Sequence, residues 1–333
     1  MKTVLKSMMG TMSAIGAVGA VGAAVMLLAS ASAQAQQYPT RPITMIVPFA
    51  PGGNTDILDR IVADRMSLVL GQKILIDNRP GAGGVVGAMH VARAKPDGYT
   101  LLGWGASTLT PAFVKNLSID LMKDFAPVGA IYQGGMVLLG STANPAMTSL
   151  KSIADYAKAN PNKFTMGAGS NLSRAGGKVL QKELGIDAPI ILYKASAEVI
   201  AALARGEIDA AVDGTSPVSR SQIASGKVRN LIVLGDIKNP VYPDMPTAVE
   251  MKMPQLVQGA CLGIWVPTGT PQAAIARLNA ALNQALKDPG VQDLVKQAGF
   301  GISPGTPEEF RRVIASHAAF WSEAAKKAGM EPE

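Results

Sequence analysis

Val47-Pro48-Phe49-Ala50-Pro51-Gly52-Gly53-Asn54-Thr55-Asp56 joins two different patterns. Before it, Ile43-Thr44-Met45-Ile46-Val47 is a short run rich in β-branched residues, as a buried strand requires. After it, Ile57, Leu58, Ile61, Val62 and Met66 recur at helical spacing, and Asp59, Arg60, Asp64 and Arg65 are expected on the opposite face. Two glycines sit at the joint, and Asn54 or Thr55 can cap the helix. A strand, a glycine turn and a helix start bring free backbone N–H groups to one point. That arrangement suits an anion, and it equally describes a plain βα turn. The rest of the chain decides between the two readings.

The N-terminus reads as a leader. Lys2 and Lys6 precede a small, apolar, uncharged run from Ile15 to Leu28, and Ala31-Ser32-Ala33 and Ala33-Gln34-Ala35 are cleavage-site patterns. Residues 1–35 are therefore expected to be removed, with the mature protein exported to the periplasm. A membrane anchor is the alternative, but the apolar run is short and rich in Gly and Ala. No later apolar run is long enough to span a bilayer. The single cysteine, Cys261, allows neither a lipidation site nor an internal disulfide. Stability must come from a core, and a mature chain of roughly 300 residues suffices for two domains. The full chain carries a net charge of +7, and loss of Lys2 and Lys6 leaves +5. This charge is spread along the chain, and aromatics are 5% of residues, so the basic patch with stacking aromatics that nucleic acid needs is missing.

Strand and helix patterns then alternate. Lys73–Asp77 is a second strand, followed by the turn Asn78-Arg79-Pro80-Gly81-Ala82-Gly83-Gly84 and a helix through Val85 and Val91. Tyr99–Leu102 is a third strand, leading to Gly103-Trp104-Gly105-Ala106-Ser107-Thr108. Val128–Leu139 is an extended apolar stretch. The rhythm restarts with strands predicted at Phe164–Met166, Ile190–Tyr193 and Ile208–Val212, each followed by a turn: Gly167–Ser173, Lys194–Ser196 and Asp213–Pro217. After further strands at Val228–Leu234 and Cys261–Val266, the chain ends in helices. Repeated strand–turn–helix units imply parallel sheets flanked by helices, and the turns after the strands line the ligand crevice. Two lobes with a cleft between them are the natural inference.

No catalyst stands in those turns. The two histidines, His90 and His317, fall in helices, where a solvated or half-packed position is expected. One cysteine and two distant histidines make no metal cluster. None of those turns carries a Gly-x-Ser-x-Gly elbow. The turn at Gly81 and Gly83 fails the dinucleotide fingerprint because Val86 stands where the third glycine belongs, and no Gly-Lys-Ser/Thr follows Gly52-Gly53. The chain has turns for holding a small anion and no group for transforming it. No enzyme activity and no cofactor are expected.

These residues also carry a family likeness. Tyr38-Pro39-Thr40-Arg41-Pro42-Ile43, the stretch Val47–Asp56, the turn Asn78–Gly84 and Pro96-Asp97-Gly98-Tyr99-Thr100-Leu101-Leu102 follow one another in fixed order. Gly206-Glu207-Ile208-Asp209 and Pro243-Asp244-Met245-Pro246-Thr247 extend the match. The mature chain resembles the Bug family, the TctC-type substrate-binding proteins of tripartite tricarboxylate transporters. The resemblance implies an α/β chain with a two-lobed type II periplasmic binding protein fold, each lobe a mostly parallel sheet flanked by helices. Lobe 1 would hold 36–139 plus 255–333, and lobe 2 would hold 140–254. It implies a small carboxylic acid as ligand and membrane permease subunits as partners, with the protein itself a monomer. One ligand carboxylate would lie at Pro51, Gly52, Gly53, Asn54, Thr55 and Asp56 and at Gly81, Ala82, Gly83 and Gly84. Ser107, Thr108, Gly169, Ser170, Asn171, Ser196 and Asp213 would supply the rest.

Where the family often has Gly-Ser/Thr-Pro-x-His, this chain has Ser170-Asn171-Leu172-Ser173-Arg174, and its Tyr193-Lys194-Ala195-Ser196 replaces the usual Tyr-Lys-Gly-Gly. Arg174 either faces solvent or pairs with a second carboxylate, which would suit a dicarboxylic acid. Asp213 either caps the helix beginning near Ser216 or accepts a hydrogen bond from the ligand. Trp104 belongs either to the core or to the cleft wall. A sensor feeding a signalling partner, or an enzyme acting on organic acids, remains the alternative use of the same fold.

Overall fold

Strand β1 (Ile43–Val47) is almost wholly buried and occupies the middle of a parallel set. On one side it pairs with β2 (Ile74–Asn78), and on the other with β3 (Thr100–Trp104). Helices α1 (Asn54–Leu70) and α2 (Val85–Ala92) make the crossovers that parallel pairing demands. The computed structural model describes residues 38–52, 54–105, 119–193, 195–297 and 299–327.

A short helix, α3 (Leu121–Asp124), is capped by the Asp120 carboxylate and leads into β4 (Phe125–Ser141), a strand of 17 residues. Beyond it lie α4 (Leu150–Ala159), β5 (Met166–Ala168), α5 (Asn171–Leu184), β6 (Ile190–Leu192), α6 (Ser196–Arg205) and β7 (Ala210–Asp213). Next come α7 (Pro217–Ala224), β8 (Val228–Leu234) and β9 (Gly259–Pro267). The chain closes with α8 (Gln272–Ala285), α9 (Pro289–Gln297), β10 (Gly301–Ile302) and α10 (Pro307–Lys327).

The strand order is β2-β1-β3-β9-β4-β7-β5-β6, with β8 and β10 also paired to β4. The order β2-β1-β3 recurs as β6-β5-β7, and both triplets are parallel apart from their junctions with β4 and β9. Between them, β9 and β4 run antiparallel to each other. The first part of β4, Phe125–Gly135, pairs with β9, and Met136–Ser141 pairs with β7 and β8. One strand therefore passes from the first triplet to the second. Its pairing with β9 shifts register twice, which bends both strands as they cross. Residues Tyr132–Gly135 on β4 are only half-buried, in contrast to the buried runs on either side.

Apolar clusters cover each set. Ile46, Leu102, Trp104, Trp265 and Phe310 pack around the first triplet and β9. Leu138, Met166, Val212 and Trp321 pack on one face of the second, and Val137, Val199, Leu203 and Ala211 on the other. Trp104 is fully buried, so of its two sequence readings the core one holds.

The face assignment of α1 needs correction. Asp59 is fully buried rather than turned to solvent, and Ile57 is 43% exposed. Spacing explains both. Asp59 stands three residues before Val62 and seven before Met66, in the middle of the buried stripe. Gly103 of β3 leaves room for it, since a Cβ there would lie 2.2 Å from the Asp59 Oδ2. Among the described residues no helix is long and apolar enough to cross a membrane.

Candidate functional site

The turns that follow β1, β2 and β3 gather at the carboxyl ends of one parallel triplet, and those after β5, β6 and β7 at the carboxyl ends of the other. In open α/β sheets this is where ligands lie, beside the strand whose neighbours run off in opposite directions. β1 and β5 hold that position here.

At the first turn, Pro51 and Gly52 are exposed, and Gly52 adopts φ +84°, a left-handed conformation suited to glycine. Helix α1 begins at Asn54, so Thr55 lies inside its first turn. Gly53 is outside the described residues. Asp56 is 2% exposed and both its oxygens are engaged. Its Oδ2 accepts from the Gly52 N–H at 2.9 Å and from Arg60 Nε at 2.9 Å, and its Oδ1 accepts from Asn78 Nδ2 at 2.8 Å. The Arg60 guanidinium also pairs with Oδ1 at 2.9 Å. Burial by itself would raise the Asp56 pKa, but the bonds from Arg60, Gly52 and Asn78, with the Arg60 charge, outweigh it and hold the carboxyl below its ordinary value. Asp56 thus fixes the turn from within. Its charge is balanced by Arg60, which leaves the turn able to face an anion.

Asn78 ties this turn to the next. Its amide also donates to the Phe49 carbonyl at 3.0 Å, and its Oδ1 accepts from Arg60 at 2.8 Å. The second turn runs through Gly81 (φ +142°), Ala82 (φ +47°) and Gly84 (φ +102°), with Ala82–Gly84, including Gly83, forming one 3-10 turn. A Cβ on Gly84 would sit 3.1 Å from the Trp104 ring and 3.4 Å from Pro48. The second glycine turn therefore packs directly on the first. Ser107 and Thr108 of the third turn lie outside the described residues.

In the second set, Ser170 caps α5 by accepting from the Ser173 N–H at 3.1 Å, Asn171 opens that helix, and Arg174 is half-buried one turn along. Gly169 lies against the turn before α6, where a Cβ would stand 2.6 Å from the Ser196 nitrogen. Ser196 Oγ donates to Asp213 Oδ1 at 2.9 Å, and the Gly214 N–H reaches the same oxygen at 2.7 Å. Gly169, Ser196 and Asp213 thus meet at one place. Asp213 is 6% exposed, and its Oδ2 is buried with no hydrogen-bond partner. Burial pushes its carboxyl up to about 6, against the opposing bonds from Gly214 and Ser196. The capping reading of Asp213 fails. Ser216 caps α7 and exchanges hydrogen bonds with Ser219, leaving Asp213 outside that motif.

Sequence reasoning missed Asn78 as the tie between turns and Ser196 as the partner of Asp213, because both bonds join residues from different βα units. His90 is exposed, 3.0 Å from Arg79, and the half-buried His317 ring packs on Gly259; neither lies in a strand-end turn. Among the described residues, no three His, Cys, Asp or Glu side chains group to hold a metal ion.

Known proteins match this arrangement along nearly its full length. The family model described as TctC, tripartite tricarboxylate transporter family receptor, matches residues 58–330. The periplasmic binding protein BugD is 33% identical, with a TM-score of 0.77 over 89% of this chain and 100% of its own. An R. palustris protein solved with adipate is 28% identical, with a TM-score of 0.80 over 89% and 100%. MatC from Rhodopseudomonas palustris, solved with bound malate, is 29% identical, with a TM-score of 0.77 over 86% and 100%.

Proposed function

The chain belongs to the tripartite tricarboxylate transporter receptor family, the TctC or Bug solute-binding proteins, and on that premise we propose that it captures a small carboxylic acid in the periplasm. The acid is passed to the membrane permease subunits of a tripartite transporter, and the leader at residues 1–35 serves export. The observation that carries the reading is the paired glycine turns. Gly52 and Gly81–Gly84 lie at neighbouring strand ends, are stapled together through Asp56 and Asn78, and contain no nucleophile or acid–base pair. Relatives solved with adipate and malate support a ligand of the carboxylate class.

In this reading the first set of turns, with Ser107 and Thr108, holds one ligand carboxylate through N–H groups. The second set, with Gly169, Ser170, Asn171, Arg174, Ser196 and Asp213, meets the remainder. The two triplets form lobes that β4 and β9 join, and ligand contact with both lobes favours the closed arrangement. The unpartnered Oδ2 of Asp213 favours a ligand that brings a hydroxyl or amino donor next to its chain.

A thermal-shift screen over mono- and dicarboxylates, aliphatic and aromatic, with and without a 2-hydroxyl, tests the proposal. A concentration-dependent rise in melting temperature is expected for a subset, and that acid should be recovered unchanged after incubation. Consumption of the acid would make the protein an enzyme, and a screen in which no carboxylate raises the melting temperature would remove the ligand class.

A further inference from the structure

Gly299 and Phe300, which lead into β10, touch both the crossing strand and the turn that carries Asp213. Phe300 is 7% exposed and stacks on Tyr132 of β4, with ring centroids 3.8 Å apart and 12° between planes. Gly301 and Ile302 then pair with Gln133 and Tyr132. On its other side the segment meets the residues just after Asp213. A Cβ on Gly214 would lie 3.8 Å from Phe300 Cζ, and one on Gly299 would lie 2.2 Å from Thr215 Cβ. The Arg220 guanidinium on α7 donates to the Gln297 carbonyl, and Asn239 holds Thr215 Oγ1 at 2.7 Å. Asp213 and Gly301 pair with β4 residues only four apart, Val137 and Gln133.

We infer that Gln297 and Gly299–Ile302 form a strap that positions the Asp213 carboxyl, with Phe300 as its central residue and Arg220 as its outer fastening. Without Phe300 the Gly214 backbone loses its packing partner, and water gains access to the carboxyl beside it. Because Phe300 also stacks on Tyr132, where β4 passes between triplets and is half-buried, bending of the crossing strand is felt at the Asp213 turn. The inference rests on the reading that Asp213 meets the ligand, but the strap itself is tested without ligand.

The test compares Phe300→Ala, Phe300→Tyr and Arg220→Ala with the parent mature protein. In ligand-free protein, carboxyl-carbon NMR follows the Asp213 titration, assigned by its absence in Asp213→Asn. The parent midpoint is expected near 6. Phe300→Ala and Arg220→Ala should move it down toward an ordinary aspartate, and Phe300→Tyr, which keeps the stacked ring, should leave it in place. Arg220 is half-buried rather than part of the core, so its variant keeps the measurement available should Phe300→Ala fail to fold. Unmoved midpoints in both alanine variants overturn the strap. Calorimetry with malate and adipate forms the second arm. Phe300→Ala should weaken malate binding about tenfold, as for a residue coupled to the site through packing. If Asp213→Asn leaves both affinities unchanged while the NMR midpoint still moves in Phe300→Ala, the strap stands and the ligand role of Asp213 falls.

Discussion

Three aspartates show how much a carboxyl depends on its partners. Asp56, Asp59 and Asp213 are all buried, yet they are held in opposite directions. Asp56 has Arg60, Asn78 and the Gly52 N–H, and its pKa is lowered. A group with a lowered folded pKa contributes stability that is present above its unfolded value and lost as pH falls through the folded one. Asp56→Ala should therefore cost about 2 kcal/mol at pH 7, discounted because Arg60 is itself half-exposed, and less at pH 3. Urea melts at the two pH values check this, and equal losses at both would refute it. Asp213 behaves in the reverse sense. Its folded pKa, about 6, lies above the unfolded value, so its favourable contribution is complete below pH 4 and is lost as pH rises through 6. Asp213→Asn should thus raise stability at pH 8 by about 2 kcal/mol relative to its effect at pH 4, while weakening binding of a hydroxy acid. A variant that is equally destabilised at both pH values would show that the carboxyl is not held up by burial. Asp59 was misread in sequence because its type suggested solvent, although its spacing put it in the core stripe. Only the glycine at position 103 opposite it makes the burial possible, and that pairing of α1 with β3 is not visible along the chain.

At the scale of elements, the legible parts were those with local causes. The turns at Gly52 and Gly81–Gly84 announce themselves through residues that tolerate positive φ. The C-termini of α5 and α6 do so through Gly185 and Gly206, both in the left-handed region. The capping of α7 is local as well. Ser216 and Ser219 bond each other's backbone N–H, and Pro217 fills the first helical position. Ser216→Ala should cost about 1 kcal/mol in urea denaturation, and Ser219→Ala somewhat less. No loss in either would mean that α7 is held by its contacts alone. Strand limits were less legible. The predicted strand Phe164–Met166 forms instead at Met166–Ala168, through a glycine and an alanine of poor strand propensity. The cause is tertiary: a Cβ on Gly167 would lie 2.4 Å from Ile208 Cδ1 and 3.2 Å from Val199 Cγ1, so only a bare backbone fits there. The apolar stretch Val128–Leu139 was visible, but nothing local says that it belongs to one strand of 17 residues serving both triplets.

For the whole molecule, the repeated strand–turn–helix rhythm was enough to foresee two parallel sets, while the antiparallel pairing of β4 with β9 between them was not foreseen, because it joins segments more than a hundred residues apart. In the proposed reading, that pair is where the two triplets bend relative to each other. The chain crosses between the triplets where Tyr132–Gly135 is half-buried and where Gly135 and Gly235 approach so closely that a Cβ on either would lie 2.8 Å from the other's Cα. Backbone without side chains at a thinly covered crossing resists bending less than the packed sheets on either side. A ligand that touches turns of both triplets gains its second group of contacts only when they approach, so binding and closure share one free energy. The expected outcome is that malate or another acid found by the thermal screen reduces the radius of gyration in solution scattering along the same saturation curve that raises the melting temperature. At a hundredfold excess over Kd the native state should gain about 2.7 kcal/mol. Stabilisation with no contraction would place the ligand on one triplet alone. In that case Asp213 and the first glycine turn could not serve one molecule, and the two-lobed capture would have to give way to a site built on a single set of turns.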